Sequence, residues 1–151
     1  MFPFLPFENL SIRHRGVTEP LANAYAEAAR VCLNRHHKTP KRFFVNNKTA
    51  SNKVVAIWHP PNNQTRLAWR NETDTTEQGA YAFALAAVEI FERLYAFSRA
   101  ETLTGADYYV APYGKTTDDL EDATRLEVSG VDIGGKAVIG ASCKTPKLNL
   151  F

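Results

Sequence analysis

The stretch from Asp74 to Phe97 constrains the fold more than any other part of the chain. Ala80, Tyr81, Phe83, Ala84, Ala87, Val88, Phe91, Leu94 and Tyr95 recur at helical spacing and cover most of a helix circumference. Only a narrow stripe through Gln78, Glu89, Glu92, Arg93 and Arg99 is polar. So wide an apolar surface has to be packed on more than one side, which predicts a central helix over about 75–97. Thr75-Thr76-Glu77-Gln78 reads as its capping box, with Asp74 as an alternative cap. The chain has 151 residues, 44% of them hydrophobic and 23% charged, with Phe 9, Tyr 6 and Trp 2. That is enough bulk for one packed domain, 1–151, and excludes a disordered chain. No run approaches the roughly 20 apolar residues of a membrane-spanning helix.

A second helix is expected over about 19–36. Thr18 is placed to cap it, Pro20 falls where its missing N–H costs nothing, and Leu21, Ala24, Tyr25, Ala28 and Cys32 form an apolar stripe. Pro40 stops it. Strand-like runs follow at Arg42–Asn46, Lys53–Trp58 and Arg66–Arg70, joined by links rich in Asn, Thr, Ser and Pro. After the central helix come strands at Tyr108–Ala111 and Arg125–Ser129, a last strand over 137–141 and an extended basic tail. The apolar start, Met1 to Phe7, has no basic region before it and is broken by proline, so it reads as a strap against the body rather than a signal peptide. The expected fold is α/β. It is a single domain with a mixed or mainly antiparallel sheet packed around the long central helix and the N-terminal helix.

The net charge is only +2, but it is unevenly spread. Residues 1–75 hold 11 basic and 5 acidic side chains, whereas residues 76–151 hold 7 and 11. No acid occurs between Glu27 and Glu72. That span carries Arg35, Lys38, Lys41, Arg42, Lys48 and Lys53, with Phe43, Phe44, Trp58 and Trp69 interleaved. Cations beside aromatic rings suit a phosphate backbone and exposed bases, so these six residues are the candidate DNA- or RNA-binding set.

Three acids form a second candidate site. Glu77 lies in the first turn of the central helix, on the face of Tyr81, Ala84 and Val88. Asp107 opens one strand, and Glu127 sits inside the next, between Leu126 and Val128. Carboxylates from two strands and a helix terminus suit Mg²⁺, or Mn²⁺, which take oxygen ligands, lower the pKa of bound water and stabilise charge on a phosphate. Over about residues 74–130 the arrangement resembles the PD-(D/E)XK nuclease superfamily, the restriction-endonuclease-like fold; the same run is also similar to that of uncharacterised bacterial proteins. The resemblance implies Asp107 and Glu127 as metal ligands and Glu77 as the helical acid. It places Ser129 where that family has lysine, with Lys136 or Lys144 as the substitute if the tail folds back.

The remaining chemistry is sparse. Cys32 and Cys143 have no CxxC partner and read as two free thiols in a reducing cytoplasm. Cys32 with His36 lacks a second ligand pair for zinc. Neither phosphate-binding glycine motif is present. The sequence therefore predicts a divalent-metal-dependent, nuclease-like protein acting on or binding DNA or RNA phosphodiesters. The alternative is a catalytically inactive nucleic-acid-binding or protein-interaction module of the same fold. No membrane partner is expected, and a homo-oligomer or a protein partner stays open.

Overall fold

The computed structural model describes residues 2–46, 50–115, 119–120, 123–131, 140–143 and 147–150, the last two stretches as backbone. The elements in chain order are α1 (Leu10–Arg13), α2 (Glu19–His36), β1 (Lys41–Asn46), β2 (Ser51–Ala56), α3 (Asn63–Ala68), α4 (Glu72–Glu92), β3 (Leu94–Arg99), β4 (Tyr108–Pro112), β5 (Thr124–Ser129), β6 (Gly140–Cys143) and β7 (Lys147–Leu150). The strands form one sheet in the order β2-β1-β7-β6-β5-β4-β3, antiparallel throughout. The chain is thus a mixed α/β fold with the long and N-terminal helices the sequence predicts. A hairpin, β1–β2, and a meander, β3 to β6, are joined by β7, which pairs with both β1 and β6. No helix among the described residues is long and apolar enough to cross a membrane.

α4 is covered from three directions, which accounts for its wide apolar surface. Its Thr75, Gly79, Ala82 and Ala86 are buried, and α2 brings buried Ala22, Ala26, Ala28 and Ala29. Small residues allow close approach: a Cβ on Gly79 would stand 3.3 Å from the Ala29 backbone. On the sheet side, Leu85 and Val88 join Tyr108, Val110 and Leu126 in the core. The third cover is the N-terminal strap, where Leu5, Phe7 and Leu10 are buried and the Phe7 ring lies 5.7 Å from that of Phe83. A Cβ on Gly130 would lie 2.7 Å from Ala80 Cβ and 2.8 Å from Thr76 O, so only glycine lets the end of β5 approach α4 this closely.

The N-terminal segment also blocks both edges of the sheet, where unpaired backbone groups would otherwise be open to another strand. At the β2 edge, Leu5 N–H donates to Val55 O and Val55 N–H donates to Pro3 O. At the β3 edge, Gly16 N–H donates to Ala96 O, and the Ala96 N–H donates to His14 Nδ1. Because Nδ1 accepts, the ring proton sits on Nε2, which faces Glu89 Oε1 at 2.8 Å. Arg13 Nε donates to both oxygens of the same carboxylate at 2.8 and 2.9 Å. Glu89, read from sequence as part of a polar stripe, is thus the pin that fastens the strap to α4.

Several sequence expectations are corrected. The central helix runs Glu72–Glu92, not 75–97. It begins at Asn71, whose side chain accepts from Asp74 N–H, and ends at Arg93 in the left-handed region (φ 54°). The residues beyond, Leu94–Arg99, form β3. The expected strand at Arg66–Arg70 is instead helix α3 and the turn after it, because the Asn62 side chain caps the helix through Thr65 N–H. Thr18 stands at the N-cap of α2 but makes no side-chain cap bond. Of the last expected strand, 137–141, residues 140–141 lie in β6 and residues 137–139 lie outside the described residues; in the basic tail beyond, Lys147–Leu150 form β7.

Burial alone would raise the Glu89 pKa, but the hydrogen bonds from His14 and Arg13 outweigh it and hold the carboxyl below its ordinary value. Glu89→Gln should therefore cost roughly 1.5–3 kcal/mol at neutral pH, the usual scale of hydrogen bonds to a charged group. A group whose folded pKa is depressed stabilises above its unfolded pKa and loses that stabilisation as pH falls through the folded value. The difference between parent and variant, measured by urea denaturation at several pH values, should be full at pH 7 and shrink only below the ordinary carboxylate range.

Candidate nucleic-acid interface

β1 and β2 pair with Arg42 opposite Val55, Phe43 opposite Val54 and Phe44 opposite Lys53. Side chains alternate along a strand, so Phe43, Val45, Val54 and Ala56 turn toward the core. Arg42, Phe44, Lys53 and Val55 turn outward, and Phe44 is 48% exposed. The Lys53 ammonium lies 5.5 Å from the centre of the Phe44 ring. Phe2 of the strap lies against the same face, its ring centre 5.3 Å from the Arg42 guanidinium and 5.5 Å from the Lys53 ammonium. The quadrupole of each ring attracts the cation over it. Two cations and two rings are thereby gathered on one outer face.

The six candidate basic residues do not form one surface. Arg42 and Lys53 share the outer hairpin face, and Lys38 and Lys41 are exposed where the chain enters β1. Lys48 lies outside the described residues. Arg35 is in the last turn of α2, on the helix side, where its Nη2 donates to Trp69 O at 2.9 Å. The aromatics divide as well. Trp58 is buried with its Nε1 donating to Asn34 Oδ1, and Trp69 Nε1 donates to Glu27 Oε1, so of the four rings only Phe44 stands outward on the hairpin. Burial first, and then the charges of Lys41 and His36, hold the His37 pKa below its ordinary value.

Glu77, Asp107 and Glu127 are not gathered into a cation site. Asp107 ends the β4 ladder: its N–H donates to Leu126 O, and its Oδ2 accepts from Val128 N–H at 2.6 Å. Its Oδ1 accepts from the Tyr81 hydroxyl at 3.1 Å and has Arg99 Nη2 at 3.9 Å. Glu127 is exposed on the face of β5 opposite Leu126 and Val128, with Oε1 toward Gly105. The two carboxylates are committed in different directions, Asp107 toward α4 and Glu127 away from it. Glu77 is exposed, because it stands two residues, about 200° around the helix, from the buried Thr75 and Gly79. Ser129 is exposed at the end of β5, and Lys136 and Lys144 lie outside the described residues. Among the described residues no three His, Cys, Asp or Glu side chains converge as metal ligands. Each Asp107 oxygen is already anchored by a hydrogen bond, one from the Val128 N–H and one from the Tyr81 hydroxyl.

The partners of Asp107 belong to a tyrosine cluster that sequence reasoning missed. The Tyr25 and Tyr108 hydroxyls share a 2.6 Å hydrogen bond. The Arg99 guanidinium stands 4.8 and 4.9 Å from the ring centres of Tyr81 and Tyr108, and its Nη2 donates to the Tyr81 hydroxyl. Burial, reinforced by the bond to Tyr25, pushes the Tyr108 hydroxyl far above its ordinary pKa, so it stays a proton donor or acceptor and not an anion. The cluster locks α2, α4, β3 and β4 together.

No protein-family model, curated protein or solved structure matches the chain. The acids and the basic face are therefore weighed on their own geometry. Asp107→Ala should destabilise the fold by about 1–3 kcal/mol, because it strands the Val128 N–H and the Tyr81 hydroxyl. Glu127→Ala, at an exposed position, should stay within about 0.5 kcal/mol of the parent. Denaturant titration of the two variants checks both.

Proposed function

We propose that this protein is a binding module for single-stranded nucleic acid, engaging it through the outer face of the β1–β2 hairpin. The observation that carries the reading is the group formed by Arg42, Lys53, Phe44 and Phe2. Cations spaced along a strand neutralise successive phosphates and release their counterions. The half-exposed Phe44 ring offers a platform on which an unpaired base stacks, a contact of about 1–3 kcal/mol that tolerates any base. A duplex keeps its bases stacked and hidden from such a platform, so the single strand is the better ligand. Exposed Lys38 adds positive charge where the chain enters the hairpin.

Binding without hydrolysis is the favoured form of this reading. A nuclease of the kind the sequence resembles would need Asp107 and Glu127 to share one cation. The hydrogen bonds at Asp107 and the outward turn of Glu127 argue against that, and Ser129 carries no charge to orient a water. Millimolar Mg²⁺ or Mn²⁺ should accordingly leave the melting temperature unchanged, whereas a cation bound only by the folded state would raise it.

Fluorescence anisotropy with a labelled oligothymidylate or oligouridylate tests the proposal. Affinity should fall steeply with salt, and Arg42→Gln or Lys53→Gln should each flatten the log–log salt slope by about 0.7, the contribution of one phosphate on a single strand. Phe44→Ala should weaken binding while leaving the slope unchanged, because stacking releases no counterion. Absence of binding at low salt would overturn the reading, and cleavage of the oligonucleotide with Mn²⁺ would restore the hydrolytic one.

A further inference from the structure

On the helix side of the hairpin, a second group of cations lines a cavity of about 250 Å³ formed by Val31, Asn34, Arg35, Pro61, Arg66, Arg70 and Glu72. Three elements contribute. Arg35 comes from the last turn of α2, Arg66 from the last turn of α3, and Arg70 from the link into α4. Two of the guanidinium groups are held by main-chain or hydroxyl oxygens. Arg66 Nη1 donates to Pro61 O at 2.6 Å. Arg35 Nη2 donates to Trp69 O at 2.9 Å and to Thr75 Oγ1 at 3.5 Å. A guanidinium has five N–H donors in a fixed fork, so the bond to Pro61 O orients Arg66 and leaves it further donors.

The geometry points to a binding site for a single phosphoryl anion in this groove. The lining holds three arginines and one acidic residue, Glu72, so its formal charge is net positive. Forked donors match the oxygens of phosphate better than those of a monovalent halide. Glu72 is also the first residue of the 21-residue helix α4, whose N-terminus adds partial positive charge beside the cavity. A groove of about 250 Å³ has room for a phosphate group. The ligand class is therefore inorganic phosphate or the terminal phosphate of a larger molecule such as a nucleotide. The inference does not rest on the hairpin reading, because Arg66 and Arg70 play no part in that face.

Isothermal titration calorimetry of the whole protein at low ionic strength tests it, with inorganic phosphate as the probe. Phosphate should bind the parent, and the double variant Arg66→Gln/Arg70→Gln should bind at least tenfold more weakly. Arg35 is left in place because it holds Trp69 and Thr75. Uridine dinucleotides with and without a 5′-phosphate distinguish the sources. Binding of the phosphorylated form alone assigns the groove to a terminal phosphate; binding of inorganic phosphate but neither dinucleotide assigns it to the free anion. Absence of phosphate binding, or a double variant that binds phosphate like the parent, would overturn the proposal. The phosphate measurement does not involve the hairpin, so its failure leaves the nucleic-acid reading standing.

Discussion

The burial of α4 organises the molecule. A helix that is apolar over most of its circumference cannot be satisfied by one partner, and here three are recruited: α2, the sheet and the N-terminal strap. The strap is the most consequential, because one short segment closes both sheet edges, inserts Phe7 and Leu10 into the core and is fastened through Arg13 and His14 to Glu89. Glu89 sits well along α4, so the same carboxylate that anchors the strap also holds the His14 ring that accepts from Ala96 N–H of β3.

The hairpin face follows from this arrangement. β1 and β2 spend alternate side chains, Val45, Val54 and Ala56, on the core beneath the helices. The other set is left outward by the period of the strand. That set is Arg42, Phe44, Lys53 and Val55, and the strap running along β2 adds Phe2 to it. The cationic and aromatic character of the face is thus not an accident of loop placement; it is written into two strands whose register the core fixes. At the acids the pattern breaks: Asp107 leaves the strand pattern to accept from the Val128 N–H and the Tyr81 hydroxyl, while Glu127 keeps to it.

Much of this was legible in the residues. The α2 bounds, the positions of β1, β2, β4 and β5, and the need for a centrally packed helix follow from periodicity and from turn residues. The α4–β3 boundary did not, since the apolar run passes from helix into strand without a glycine or proline and Arg93 adopts the left-handed conformation unaided. α3 was hidden because its cap, Asn62, looks like any turn residue. At the site, Arg42 and Lys53 were visible as charge, but which aromatic joined them was not. Burial took Trp58 inward, and Phe2 arrives from the N-terminal strap, outside the basic span. Asp107 was singled out as a metal ligand, but its hydrogen-bond partner Tyr81 and its neighbour Arg99 lie in other elements, and no local pattern connects them.

The central claim is that the outer face of the hairpin meets unpaired bases directly. Photo-crosslinking of a 4-thiouridine oligonucleotide to the native protein, followed by peptide mapping of the adducts, tests it most directly. The account predicts adducts on Phe44 and Phe2, diminished by added salt. Adducts confined to segments away from the strap and the hairpin, or none under conditions where the oligonucleotide is bound, would contradict it.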